Sequence, residues 1–187
     1  MALLVSVTFG CRTFEERART EMQPAYRSAK LMAERLKAGA DFKEFNTLRG
    51  NFATDLSIVR DRMNAGISAK DPLRKYYAAY QDVLGLYSFA ARAWEYEISM
   101  DECTGPPLDL PDRSKFDDTM AYYTALERGF KRDKVCVDKY FKAYKVISQE
   151  AESRGISCPE PVKRLGCILK NAEAKLTSAE ALLLNPF

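Results

Sequence analysis

Histidine is absent from all 187 residues. It is the one side chain that titrates near neutrality unaided and the commonest metal ligand, so its absence withdraws the usual base of serine and cysteine nucleophiles. Bis-histidine haem and the Glu-x-x-His pairs of di-iron bundles go with it. Long apolar runs are missing too, since Met1–Gly10 falls far short of the roughly 18 residues a membrane-spanning helix needs. Glycine is sparse, at 9 residues, and no glycine-rich loop carries a phosphate-binding lysine. Gly50 and Gly85 stand alone inside helical patterns, where close helix packing is the expectation. Neither sign of charge dominates: 29 Lys and Arg face 26 Asp and Glu, and the net +3 is too small to imply nucleic acid. Nor do the acids converge, because Glu15 with Glu16 and Asp117 with Asp118 are sequence neighbours that diverge by about 100° on a helix. No catalytic residue, metal site or cofactor is expected.

What the chain does have is helical periodicity almost end to end, in a composition (47% hydrophobic, 29% charged) typical of globular domains. A first helical stretch runs from about Thr13 to Ala38, with Ala18, Met22, Ala25, Ala29, Met32 and Leu36 on one stripe. Pro24 lies inside it and predicts a kink, or a helix that starts only near Met22; Gly39 closes the helix. Asp41 can cap a second helix, with Phe42, Phe45, Leu48, Phe52, Leu56, Val59 and Met63 on one seam. Asp71-Pro72 opens a third, whose aromatic-rich face is Leu73, Tyr76, Tyr80, Val83, Tyr87, Ala90, Trp94 and Ile98. Large rings at this spacing are expected to fill a core rather than line a ligand groove. The proline-rich stretch Cys103–Pro111 is a loop. The pattern resumes from about Ser114 to Arg154, with a break expected near Gly129 and a restart at Asp133, and a last helix through Leu165, Leu169, Ala172, Leu176, Ala179 and Leu183 follows Pro159 and Pro161.

The resulting expectation is an all-α protein: an apolar N-terminal arm or signal remnant over 1–12, a helical bundle over 13–154, and an additional C-terminal helix over 155–187 packed on the bundle. The arm ends Gly10-Cys11, as a bacterial lipoprotein signal does before the cysteine that takes the lipid, yet Thr8 and Phe9 are unusual there and no Lys or Arg precedes them. Cys11 is therefore a candidate lipidation site, with a plain apolar arm as the other reading. The remaining cysteines, Cys103, Cys136, Cys158 and Cys167, form an even set in the second half. They are either two disulfides in an oxidising compartment or four buried thiols. Their spacings do not suit zinc. Pairing Cys158 with Cys167 is the least favoured connection, since nine helical residues span about 13 Å.

One electrostatic feature stands apart. Arg128, Lys131, Arg132, Lys134, Lys139, Lys142 and Lys145 outnumber Asp133 and Asp138 over this stretch. Such a face is either simply solvated or a docking surface for an acidic protein partner, and these seven are the candidate docking residues.

The second helix carries a resemblance. The run Lys37–Arg49, with Asp41, Phe42, Phe45, Asn46, Leu48 and Arg49, then Asp55–Arg60 and Lys70-Asp71, resembles the PsbQ family of extrinsic photosystem II subunits. Leu126–Asp133 and Asp138–Tyr144 are similar to the approach to that family's last bundle helix, so the likeness spans about Tyr26 to Glu152. The chain departs from the family in an extra stretch from about Glu95 to Lys115, in its four cysteines, and in the helix after Pro159. The resemblance implies an up-and-down four-helix bundle in the thylakoid lumen, bound peripherally to the membrane through photosystem subunits. There it would help retain calcium and chloride at the manganese cluster without performing the chemistry. The alternatives are a lipid-anchored periplasmic lipoprotein with a structural role and a scaffold subunit of another large membrane assembly.

Overall fold

The computed structural model describes residues 13–104, 113–115, 121, 124–125, 134–156 and 164–184, with side chains at 100–104, 113, 134–141 and 164 outside the described set. Among the described residues the protein is all-α: α1 (Phe14–Lys37), α2 (Phe42–Asn64), α3 (Pro72–Thr104), a 3-10 turn (Arg113–Lys115), α4 (Lys134–Ser153) and α5 (Arg164–Leu184), with no strand.

Helix α1 begins at Phe14, not near Met22, because a complete cap precedes it. The Thr13 hydroxyl accepts the Glu16 N–H at 3.2 Å, and the Glu16 carboxylate accepts the Thr13 N–H at 3.1 Å. Pro24 is carried inside the helix at the loss of one backbone hydrogen bond. At the far end Gly39 takes a φ of +90°, which lets the Ala40 N–H reach back to the Arg35 carbonyl at 2.9 Å. Asp41 caps α2 by accepting the Glu44 N–H at 2.8 Å, and Asp71 caps α3 by accepting the Leu73 N–H at 2.9 Å.

Packing follows the stripes. Ala18, Met22, Ala25, Ala29 and Met32 of α1 bury against Phe45, Phe52, Leu56, Val59 and Met63 of α2 and against Leu73, Tyr76, Tyr80, Val83 and Tyr87 of α3 in one core. The small residues of α1 let the larger rings of α2 and α3 interlock, with Phe52 edge-on to Tyr80 and Phe45 edge-on to Tyr87. Trp94 stacks on Phe45 at 5.5 Å and is itself half-buried, whereas Ile98, expected on the same stripe, is exposed. Gly50, expected at a close helix contact, faces open space, so close packing does not account for it; a Cβ on Gly85 would meet the Arg154 guanidinium at 3.4 Å.

Helix α3 is central: from Val83 to Trp94 only Arg92 is exposed. Its most extensive packing is with α5, followed by α2, α1 and α4. Ile168, Ala172, Leu176, Ala179 and Leu183 supply the α5 side, so Ile168 takes the inner position expected of Leu169. Ring and charge pairs fix the directions. Phe42–Trp94, Phe45–Tyr87 and Phe52–Tyr80 run α2 antiparallel to α3. Arg35–Glu44 with Ser28–Asp55 run α1 antiparallel to α2, and Lys30–Glu180 with Lys37–Glu173 run α1 antiparallel to α5. Near its C-terminus α4 contributes Ile147 and Ala151, and Ile156 folds back onto the core as its N–H bonds the Ala151 carbonyl past Gly155.

Candidate partner-docking surface

Of the seven basic residues singled out in the sequence, Lys142 and Lys145 are described with their side chains: both are exposed on α4. Three residues apart, they share one face, with the exposed Val146 beside them and the buried Ile147 turned to the core. No carboxylate pairs with either lysine among the described residues. Lys134 and Lys139 lie on the same helix with side chains outside the described set, and Arg128, Lys131 and Arg132 lie outside the described residues.

Elsewhere charges are used to tie helices together. Arg17 clasps Asp71, Arg35 meets Glu44 at 2.6 Å, Lys37 meets Glu173, and Lys175 meets Asp82 at 3.4 Å. Glu150 accepts from both Arg92 and Arg154. Burial pushes its carboxyl up, but the two guanidinium hydrogen bonds outweigh that and hold it below the ordinary glutamate range. Such pairs are mostly half-exposed, which makes them guides to register more than sources of stability.

The phenols of the core respond to the same surroundings. The Tyr26 hydroxyl donates to Glu180 at 2.7 Å, and that bond, with burial, raises its pKa. Tyr76 donates to Glu15 and is raised chiefly by burial. Burial pushes Tyr87 up to about 12 and raises Tyr80 as well. The Tyr80 hydroxyl is buried without a hydrogen-bond partner among the described residues.

Among the described residues, surface depressions lie on both sides of α3. A groove of about 410 Å³ runs between α3, the end of α4 and α5, with Asp82, Arg154, Asn171 and Lys175 on its rim. Its cations are already paired with Asp82 and Glu150. A cleft of about 350 Å³ lies between α2 and α3 and is lined by Phe42, Asn46, Arg49, Ser88, Arg92 and Glu95. Arg49 is half-buried there, its Nε donating to Asn46 and its Nη1 to Ser88, each at 3.3 Å. Sequence reasoning did not single this cleft out. The only trace was the Asn46–Arg49 step, and its other wall is 39 residues away.

Cys167 is half-buried, and Asn171 donates to the Cys167 carbonyl at 2.9 Å. Cys11 and Cys158 lie outside the described residues, and Cys103 and Cys136 lie on α3 and α4 with side chains outside the described set. Among the described residues no helix is long and apolar enough to cross a membrane, and no group of three or more His, Cys, Asp or Glu is placed to hold a metal ion. No protein-family model, curated protein or solved structure matches the chain.

Proposed function

We propose that this chain is a non-catalytic, PsbQ-like extrinsic subunit that docks on the lumenal side of photosystem II and stabilises the oxygen-evolving site. In this reading the helices form an up-and-down four-helix bundle with one further helix. The short links at 38–41 and 65–71, which favour antiparallel neighbours, support that arrangement, as do the antiparallel pairings of α1, α2 and α3. The observation that carries the docking role is the division among charged side chains. Arg17, Lys30, Arg35 and Lys37 of α1, Arg92 of α3 and Lys175 of α5 are paired with carboxylates of other segments, whereas Lys142 and Lys145, on one face of α4, project into solvent with no carboxylate partner among the described residues. Exposed cations on one helix face attract an acidic partner and speed its capture, an effect that salt screens. The four cysteines fit an oxidising lumen in the same reading.

The test is recovery of the chain from its native source with its companions bound, followed by re-binding of a charge-reversed variant. Photosystem II core subunits should co-purify, and Lys142→Glu with Lys145→Glu should weaken re-association, most visibly at low salt. Co-purification without photosystem subunits, or unchanged re-binding of the reversed variant, would overturn the proposal. A lipid on Cys11 in a chain free of such companions would instead establish the periplasmic lipoprotein.

A further inference from the structure

We propose that the cleft between α2 and α3 is a carboxylate-binding subsite, centred on Arg49, that receives an acidic side chain of a protein partner. This rests on the docking role above but uses a different surface from the lysine face of α4.

The cleft follows from two helical rows brought opposite each other. Phe42, Asn46 and Arg49 recur at four- and three-residue steps on α2; Ser88, Arg92 and Glu95 do the same on α3. Antiparallel packing, fixed by Phe42–Trp94 and Phe45–Tyr87, sets Arg49 across from Ser88. A guanidinium has five N–H donors in a rigid fork, and Arg49 gives two of them to Asn46 and Ser88. Both acceptors are neutral. They hold the fork in place while leaving its charge uncompensated, and no carboxylate pairs with Arg49 among the described residues. Arg92 on the opposite wall differs, because it is already given to Glu150. The site therefore offers one oriented, unneutralised guanidinium with three donors free, which is the geometry that recognises a carboxylate.

The surroundings select among anions. Glu95 lines the same cleft, while Arg92 and Glu150 offset each other, so a doubly charged phosphate meets a like charge and carries one charge too many, whereas a single carboxylate is matched by the single free cation. Arg92 and Glu95 are exposed, leaving the cleft open to solvent, and about 350 Å³ is near the lower limit for a small-molecule site. An acidic side chain on a partner's surface fits that opening, its methylene stem lying on the half-buried Phe42 ring.

A reporter is built in. The chain has one tryptophan, Trp94, and its ring lies 5.7 Å from that of Phe42. The full chain is titrated at constant ionic strength with a capped glutamate-rich hexapeptide, followed by Trp94 fluorescence and calorimetry together, with the glutamine counterpart and inorganic phosphate as controls. Saturable binding of the glutamate peptide alone is expected. Arg49→Gln should weaken it by about tenfold or more, the loss of a charge-assisted pair. Arg49→Lys, which keeps the charge and discards the fork, should weaken it too, and Glu95→Gln should tighten it. Reversing Lys142 and Lys145 removes any capture of the peptide by the α4 face, and the Arg49-dependent loss should persist in that background, so failure of the α4 docking face and failure of this cleft give different results. No saturable binding, equal binding of the glutamine peptide, equal competition by phosphate, or undiminished affinity in the Arg49 variants would each overturn the proposal. If thermal melts show that Arg49→Gln does not fold, Arg49→Lys and Glu95→Gln decide it.

Discussion

Replacing Asp71 separates two contributions that one carboxylate makes to the fold. Its side chain is 3% exposed; one oxygen caps α3 through the Leu73 N–H at 2.9 Å, and the other receives Arg17 from α1. Loss of an N-cap costs about 1 kcal/mol, with a range of roughly 0.5–2. The Arg17 clasp contributes less than its geometry suggests. The Arg17 side chain is 42% exposed, so solvent screens the pair, and a pair of this kind is worth about 0.5–1 kcal/mol. Asp71→Ala loses both and should cost about 2 kcal/mol, which in a domain of this size lowers the melting temperature by roughly 4–8 °C. Asp71→Asn keeps a capping oxygen and loses the charge, so it should cost no more than about 1 kcal/mol. Urea unfolding of these two variants, of Arg17→Met and of the Arg17→Met/Asp71→Asn pair closes a double-mutant cycle, with an expected coupling of about 0.5–1 kcal/mol that shrinks in high salt. Equal losses for alanine and asparagine would refute the cap as the larger share. A coupling near zero would remove the clasp from the account.

Two further outcomes concern the buried phenols of α3. Burial, with the nearby Glu173 carboxylate, raises Tyr87 to about 12, so its folded-state value lies above the unfolded one near 10. Its contribution is then fully present below pH 10 and is lost as pH rises through 12, an alkaline fall of up to about 3 kcal/mol. Urea unfolding between pH 8 and about 11 should show the decline, and Tyr87→Phe should make it shallower, the raised Tyr26, Tyr76 and Tyr80 keeping the rest. Tyr80→Phe should be neutral or stabilising by about 1 kcal/mol, because it deletes a buried hydroxyl that has no hydrogen-bond partner; a loss above about 1 kcal/mol in the same assay would assign that hydroxyl an unseen partner.

The helices were legible because their signals are local. Phe45, Phe52, Leu56, Val59 and Met63 recur at helical steps and all are buried, and Asp41 and Asp71 act as caps because an acid directly ahead of a helix meets its unpaired N–H groups. Where the sequence misled, a local rule met a longer-range fact. Pro24 left a kink or a late start open within the Thr13–Ala38 run, yet Thr13 and Glu16 form a capping box at its beginning, and one lost hydrogen bond does not undo a helix packed through Ala18, Met22 and Ala25. Gly50 argued for close packing, which needs a partner that no stripe on α2 can reveal. The weight of α5 was hidden in the same way: its apolar stripe resembles any other, and only tertiary packing makes it the most extensive neighbour of α3.

The two candidate binding surfaces mark the same boundary more sharply. The lysines of α4 declare themselves by density, a property of sequence alone, but density cannot tell a paired cation from a free one. Arg35 and Arg92 are spent on Glu44 and Glu150, while Lys142 and Lys145 are not spent on any described carboxylate. Arg49 has no density to announce it. Its free charge arises because α2 packs against α3 in the one register that offers it Ser88 in place of an acid, with Glu95 near enough to line the cleft but not to pair with it. A shift of one helical turn, about 5.4 Å, would move α3's acids and hydroxyls past it and change the cleft's electrostatics without changing a residue. The site is thus a property of the aromatic interlock of Phe42, Phe45 and Phe52 with Trp94, Tyr87 and Tyr80 as much as of the arginine, and a core substitution that slides α2 along α3 should alter anion binding at a distance from the cleft itself.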